Sequence, residues 1–359
     1  VRPGMMGPAL VRHEPVGVCA GIVPWNVPLF ISMLKLAPAL ASGSTIVLKP
    51  APETPLSANA LAQMCIDAGV PDGVVNIVPA GRETGQHLVT HPDVDKVSFT
   101  GSTAAGRKIG AACGELLRRC TLELGGKSAA IICDDADLDA IMPELIAAST
   151  MNNGQACVAQ TRILATRSRY DEVVEALTEA VAAIPVGDPA NMETGCGPLI
   201  AERQRERVEG YIQAGRDEGA RVTTGGGRPE GLDRGWFVEP TVFADVDNSM
   251  RIAQEEIFGP VLAVIAVDDA DDAVRVANDS AYGLSGTVWT ADADAGLDIA
   301  RKVRTGTYTV NGFAMEWGAP FGGFKDSGVG RELGPEGLAA YLESKTINLP
   351  AGTEPTLAY

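Results

Sequence analysis

The chain has 359 residues, 45% hydrophobic and 21% charged, the make-up of a soluble globular protein of roughly two domains. Its 29 basic and 46 acidic residues leave a net charge of −17 with no local basic cluster, which argues against nucleic acid or an anionic membrane as partner. No stretch approaches the roughly 20 apolar residues of a membrane span. The seven cysteines are odd in number, dispersed and without a CxxC pair, which argues against a disulfide framework or a zinc site and points to the cytoplasm.

In chain order, VGVCAGIVP (16–24) is an apolar β-branched run ending at Pro, and LFISMLKLAPALASG (29–43) has helical spacing and closes on Gly43. STIVLKP (44–50) reads as a short buried strand. PLSANALAQMCIDAG (55–69) is a helix with Pro in its first turn and Gly69 at its end. Strands follow at 74–78 and 96–100, then a helix starting near Ser102 and strands at 121–124 and 128–133. Such alternation predicts parallel βαβ units with helices on both faces. Beyond Leu138 the pattern resumes. Helices are predicted at about 137–150, 168–183 and 203–220, strands at 162–166, 241–246 and 261–267, and a surface loop at 225–231. The fold class is α/β, in two domains with a boundary near 125–130.

Several short segments place reactive side chains in rigid turns. KVSFT followed by GSTAAG puts Gly101 and Ser102 at a strand-to-helix turn, where free N–H groups suit pyrophosphate; a glycine that merely makes the turn is the alternative. No GxGxxG follows a strand, and no P-loop ending is present. Lys49 leaves the C-terminal end of a strand, where ligands of open α/β sheets collect, yet a solvated surface lysine is the favoured reading of the segment alone. Glu123 stands late in an apolar strand before two glycines, either a buried base of raised pKa or a strand-edge carboxylate facing water. Asn26, between two prolines in PWNVP, either donates to an oxyanion or satisfies its own turn. Cys157 in MNNGQACV has no claim alone, since a free Cys is more often a small buried hydrophobe.

Together the segments PWNVPL, LKPAPETPL, FTGST, LELGGK, NNGQACV, EEIFGPV and PFGGFKDSGVGREL, in that order, resemble the aldehyde dehydrogenase superfamily over essentially the whole chain. The 34-residue spacing of Glu123 and Cys157, and the 23-residue spacing of Asn26 and Lys49, are those of that family. The resemblance implies a Rossmann-like cofactor domain at 16–125 and a catalytic domain at 126–325. It also implies a segment at 326–345 packing back toward the cofactor domain and an oligomerisation arm from 1–15 and 346–359. By the same resemblance Cys157 is the nucleophile, Asn26 the oxyanion donor and Glu123 the base that activates water on the thioester. Trp25, Lys49, Thr100, Gly101, Ser102, Glu256 and Phe258 would bind NAD or NADP, and Ile31, Leu34, Phe313, Trp317 and Phe321 would line the aldehyde tunnel. No metal is implied, and a homodimer or homotetramer is.

Two departures from the family pattern stand out. Pro52 occupies the third position after Lys49, where NAD-preferring members often carry a ribose-gripping Glu, so NADP becomes plausible beside NAD. The chain starts VRPGMMGPAL, without the longer segment that members carry before the arm, so the expectation is of a protein lacking that part. Three rival readings follow. A CoA-acylating dehydrogenase typically lacks the base that Glu123 supplies. A cysteine hydrolase needs a His partner, and none of His13, His87 and His91 has a motif around it. A truncated cofactor-binding protein without catalysis is the third, against which the retention of Cys157, Glu123 and Asn26 speaks. The tunnel lining favours an apolar or aromatic aldehyde, while Glu316 either greets a cationic one or, the favoured reading, faces solvent.

Overall fold

Three β-sheets organise the described residues, 1–5 and 7–353 of the computed structural model. Strand β1 (Ala9–Pro15) belongs to a small separate ladder. The next five, β2 (Val18–Ile22), β3 (Thr45–Lys49), β4 (Val75–Ile77), β5 (Lys96–Thr100) and β6 (Arg119–Glu123), are parallel in the order β6-β5-β2-β3-β4. They are joined by helices α1 (Pro28–Ser42), α2 (Pro55–Asp67), α3 (Arg82–Thr90) and α4 (Thr103–Glu115). A second sheet holds β7 (Ala129–Ile132), β8 (Arg162–Thr166), β9 (Arg221–Thr224), β10 (Thr241–Ala244), β11 (Val261–Val267), β12 (Gly286–Trp289) and β13 (Thr309–Val310). Its order is β13-β12-β7-β8-β11-β10-β9, with β9 alone antiparallel to its neighbour. Two strands then return: β14 (Gly328–Val329) pairs antiparallel with β6, and β15 (Leu342–Asn348) with β1.

The order of the six-stranded sheet carries the main consequence for function. Strand β2 has β3 on one side and β5 on the other, so the direction of winding reverses there. Ligands of open α/β sheets bind outside the carboxyl ends of the strands at such a reversal. Those ends lead directly into Trp25-Asn26 after β2 and Gly101-Ser102 after β5. The chain passes from the first sheet to the second between Glu123 and Ala129, so the end of β6 faces the same region.

The sequence expectations meet the structure closely where the apolar pattern is strong. Strands form at 162–166 and 261–267 over those residues, and α1 ends at Gly43, whose φ of +83° suits glycine. The helix expected at 203–220 spans Glu202–Asp217, ending before Gly219 at φ +94°. The second arm strand starts at Leu342, before the expected 346, and residues 354–359 of that expectation lie outside the described residues. Helix α3 and the helices Ala270–Asn278 and Ala293–Lys302 are additions to the sequence reading. Among the described residues no helix is long and apolar enough to cross a membrane.

Candidate active site

A cavity of about 360 Å³ opens where the two larger sheets meet. Residues from the end of β2, the start of α1, the β5–α4 turn and the end of β6 form one side. The Cys157 loop, Glu256, Phe258 and the segment around Phe313–Phe321 form the other. It gathers Trp25, Asn26, Ile31, Thr100, Gly101, Ser102, Glu123, Cys157, Glu256, Phe258, Phe313 and Phe321.

Cys157 is held by an unusual loop. Helix α5 (Leu138–Thr150) gives way to a turn in which Asn152, Asn153 and Gly154 take φ of 51°, 58° and 71° in succession. Asn tolerates this left-handed region better than other side-chain-bearing residues, which is a physical reason for the pair. The polar side chains then fasten the loop. Asn152 Nδ2 donates to Asn26 O at 2.8 Å, Asn153 Nδ2 to Pro198 O at 3.1 Å, and Gln155 Oε1 accepts from Ile200 N at 3.1 Å. A Cβ on Gly154 would overlap the Gly259 carbonyl, and one on Gly126 would overlap the Cys157 carbonyl, so both close approaches require glycine.

The electrostatics of the thiol differ from the thiolate that the resemblance implies. Cys157 is pushed up to about 12, first by burial, then by the Glu256 and Glu123 carboxylates. The backbone N–H groups of Cys157 and Val158 oppose this by less. The resting residue is a thiol, and its proton must leave before the sulfur can act as a nucleophile. Asn26 Nδ2 donates to Gln155 O at 3.0 Å, which orients the amide and leaves its second N–H available.

Glu123 is 3% exposed, and neither carboxylate oxygen has a hydrogen-bond partner among the described residues. Of the two sequence readings, the water-facing one therefore falls away. Burial raises its pKa well above the ordinary carboxylate range; Glu332 adds to the rise, and Lys35 and Arg331 oppose it. Lys35 and Glu332 were not anticipated from sequence. Lys35 donates to Glu332 Oε1 and Thr100 Oγ1, both at 2.7 Å, and Ser98 Oγ donates to Glu332 Oε1 at 3.2 Å. The available signal was Lys35 inside the apolar run SMLKLAPAL, at a position that a buried helix face must cover.

Three expected site residues lie outside this cavity. Leu34 is packed in the core under α1 with Ile46, Leu48 and Tyr341, because its side of the helix faces the sheet and not the cavity. Trp317 is 63% exposed and stacks edge-on against Phe30, with ring centroids 5.3 Å apart. Lys49 is buried, contrary to a solvated surface lysine, and its ammonium donates to the carbonyls of Pro50 at 2.6 Å and Ala80 at 2.9 Å. Glu316 is exposed and accepts from Gly318 N at 3.1 Å, outside the cavity. Conversely, Phe30, Met151 and Met315 add to the apolar lining. The Gly328-Val329 stretch proves to be a strand: a Cβ on Gly328 would overlap the Leu122 carbonyl, so its glycine lets β14 lie against β6 beside Glu123.

The residues also fit a dinucleotide. Ser102 caps α4 by accepting from Ala105 N at 3.4 Å, while the N–H groups of Thr103 and Ala104 carry no hydrogen bond among the described residues. Gly125 lies so close to the Glu256 carboxylate that a Cβ would come within 2.7 Å of Oε2. Glu256 itself accepts from Gly126 N at 3.0 Å, and Trp25 packs edge-to-face on Phe258 at 5.4 Å.

A doubly wound sheet facing a second α/β layer, with a loop thiol, a buried carboxylate and an amide around one cavity, defines a cysteine-based enzyme of the dinucleotide-binding α/β class. Residues 5–347 match the aldehyde dehydrogenase family, and the chain belongs to that family. It is 55% identical over 349 residues to the geranial dehydrogenase of Castellaniella defragrans, covering 97% of this chain and 73% of that protein. It is 44% identical over 347 residues to a betaine aldehyde dehydrogenase of Brucella melitensis, covering 96% of this chain and 71% of that one. Among solved structures, Mycobacterium tuberculosis aldehyde dehydrogenase in complex with NAD+ superimposes with a TM-score of 0.97 at 58% identity, covering 99% and 73% of the two chains. A mutant of aldehyde dehydrogenase C from Pseudomonas syringae, in complex with NAD+ and octanal, gives 0.94 at 44% identity, covering 98% and 73%.

Proposed function

We propose that this aldehyde dehydrogenase oxidises apolar aldehydes to carboxylic acids with NAD+, through Cys157, Asn26 and Glu123. The observation that carries the reading is the meeting of these three groups in one largely apolar cavity, with the Glu123 carboxylate buried and unpartnered. The Cys157 thiol releases its proton to solvent, the thiolate attacks the aldehyde carbon, and the Asn26 amide with the Cys157 N–H holds the oxyanion of the resulting thiohemiacetal. A bound nicotinamide dinucleotide supplies the hydride acceptor, leaving a thioester on Cys157. Glu123 takes a proton from water as that water attacks the thioester, the C–S bond breaks to release the acid, and Glu123 returns the proton to the Cys157 sulfur.

The cofactor is assigned to the six-stranded unit, residues 16–125, with Gly101, Ser102 and the first-turn N–H groups of α4 on its pyrophosphate. Thr100, Trp25 and Phe258 lie along it, Glu256 serves the ribose next to the nicotinamide, and Lys49 offers its remaining N–H to the adenosine ribose. The thiol comes from the 126–325 unit, and 326–345 closes the base side. The NAD+ complexes of the Mycobacterium and Pseudomonas proteins support this placement. A carboxylate placed in the pyrophosphate position, Ser102→Asp, should raise the KM for cofactor at least tenfold and leave that for aldehyde little changed; the reverse pattern would overturn it.

The lining by Phe30, Ile31, Met151, Phe313, Met315 and Phe321 supports an apolar substrate, in line with the geranial of one named relative and the octanal bound to the mutant of another. Glu316 lies outside the cavity, and the carboxylates that do line it are taken up elsewhere: Glu123 as the base, Glu256 on Gly126 N and Glu332 on Lys35. The test is NADH formation with geranial, octanal and betaine aldehyde, with Cys157→Ala as control. Turnover of the first two that vanishes in the variant is expected; preference for betaine aldehyde would reverse the substrate reading.

The β1–β15 ladder supports a homo-oligomer, since a lone two-stranded ribbon is marginal in water and its free edges invite pairing. A monomeric mass by light scattering would refute this. Seven free thiols are consistent with a reducing cytoplasm, which fractionation of the producing cells would check.

A further inference from the structure

Helix α4 lies along β6 in a regular series of side-chain contacts. Gly106 faces Leu124, close enough that a Cβ would meet its Cδ atoms, and one turn on Gly110 faces Leu122, with 3.3 Å between a Cβ and Cδ1. Positions 106, 110 and 113 share one face of a helix, and 124, 122 and 120 share one face of a strand. The next pair in this series is therefore Cys113 and Cys120. Both pack in the same apolar cluster, Cys113 fully buried and Cys120 partly exposed. The connection between them is short, and Arg118 N donates back to Cys113 O at 2.8 Å, which fixes the turn. At the first two steps of the series a glycine meets a leucine; at the third, two cysteines meet.

We propose that Cys113 and Cys120 form a reversible dithiol–disulfide redox site, separate from the catalytic thiol, that reacts with hydroperoxides before Cys157 does. The Cys120 thiolate attacks one peroxide oxygen, breaking the O–O bond to give a sulfenic acid and hydroxide, which takes a proton. The Cys113 thiol then attacks the Cys120 sulfur, the S–O bond breaks, and the oxygen leaves as water with the Cys113 proton. In total two thiols and one H2O2 give one disulfide and two waters. A small-molecule dithiol reverses the bond by exchange.

The order of reaction follows from surroundings. Cys120 is lowered by its neighbour Cys113 and by Lys96, against burial, whereas burial and the two carboxylates raise Cys157. The cross-link spans the end of α4 and the start of β6, away from Ser102 and Glu123 at their other ends. Activity is therefore retained in the disulfide form.

The test treats the purified protein with one equivalent of H2O2 at pH 7.5, quenches with iodoacetamide and maps the tryptic peptides. The expected result is a 113–120 disulfide, reversed by dithiothreitol, with NADH formation unchanged and no oxidation of Cys157. In Cys113→Ser the Cys120 sulfenic acid should instead be trapped by dimedone, and Cys120→Ser should show neither product. Oxidation of Cys157 first, a disulfide between other cysteines, or no disulfide at ten equivalents would each overturn the proposal. So would loss of activity in step with the 113–120 bond. A thermal unfolding scan on each variant separates loss of the pair from loss of the fold.

Discussion

The Lys35 ammonium lies 2.7 Å from the Glu332 carboxylate, with the two side chains 0% and 2% exposed. Both are coupled to Glu123, in opposite directions: Glu332 raises its pKa and Lys35 lowers it. Glu123 acts as a base only when deprotonated, so activity rises with pH through its pKa. Glu332→Gln removes a raising charge and should move the acid limb of the kcat profile to lower pH, while Lys35→Met should move it to higher pH. Leaving either charge unpaired should also cost about 3–5 kcal/mol of stability, read from urea unfolding. Identical profiles in all three proteins would disconnect the pair from the base.

The same carboxylate predicts a trade between stability and catalysis. A folded-state pKa above the unfolded value means that the native protein holds the Glu123 proton more tightly than the unfolded chain. Its contribution is present below the unfolded pKa and is lost as pH rises through the folded one. Glu123→Gln keeps the shape and removes the charge. The variant should therefore unfold at a higher temperature than the parent at pH 9, with the difference closing toward pH 5, while thioester hydrolysis collapses. A difference in melting temperature that did not change with pH would contradict the buried-charge account.

Alkylation measures the state of the thiol directly. With Cys157 pushed up to about 12, its labelling by iodoacetamide should accelerate close to tenfold per pH unit between 7 and 10. Glu256→Gln removes the larger of the two raising charges and should speed labelling at pH 8. The measurement is made by peptide mapping in a Cys120→Ser background, since Cys120 reacts at lower pH. A plateau below pH 8 in the parent would show a thiolate that the surrounding carboxylates do not permit.

How far these relationships could be read beforehand varied with the physics involved. Strands such as 261–267 and helix starts marked by Pro55 or Ser102 are written in local pattern, and their structures agree with the sequence to within a residue or two. Helix α3 carries only Gly85 and Val89 as buried residues, so no apolar stripe announces it. The ion pair of Lys35 and Glu332 joins positions 297 apart, and no local window contains it. Leu34 and Ile31 are three residues apart on α1 and share one core cluster, yet only Ile31 also lines the cavity. Spacing identifies a face of a helix but not where that face divides between sheet and site.

The glycines around Cys157 have separable roles, and substitution should show it. Gly154→Ala adds a left-handed penalty of about 1–2 kcal/mol to an overlap with the Gly259 carbonyl. With about 1–3 kcal/mol for overpacking, the loss should be visible in unfolding and not only in rate. Gly126→Ala meets the Cys157 carbonyl without a left-handed φ, so it should displace the nucleophile at smaller cost to stability. Its kcat should fall about 100-fold, the scale of a 1 Å misplacement. Equal activity in Gly126→Ala and parent would show that the loop can yield there.

Cofactor choice turns on the turn after β3. Pro52 is exposed and offers no carboxylate, and the neighbouring Glu53 is paired with Arg203 of the helix Glu202–Asp217, which neutralises it. A 2′-phosphate arriving near Lys49 therefore meets no free negative charge from these two residues. NADP+ should be accepted beside NAD+, with kcat/KM values within about tenfold, a difference of about 1.4 kcal/mol. Pro52→Glu restores an anion at an exposed position, where two unit charges 4 Å apart repel by about 1–4 kcal/mol. That variant should lose at least tenfold with NADP+ while holding its rate with NAD+, and added salt should narrow the gap. Strict NAD+ use by the parent would mean that steric fit rather than charge excludes the phosphate, and Pro52→Glu would then leave the ratio unmoved.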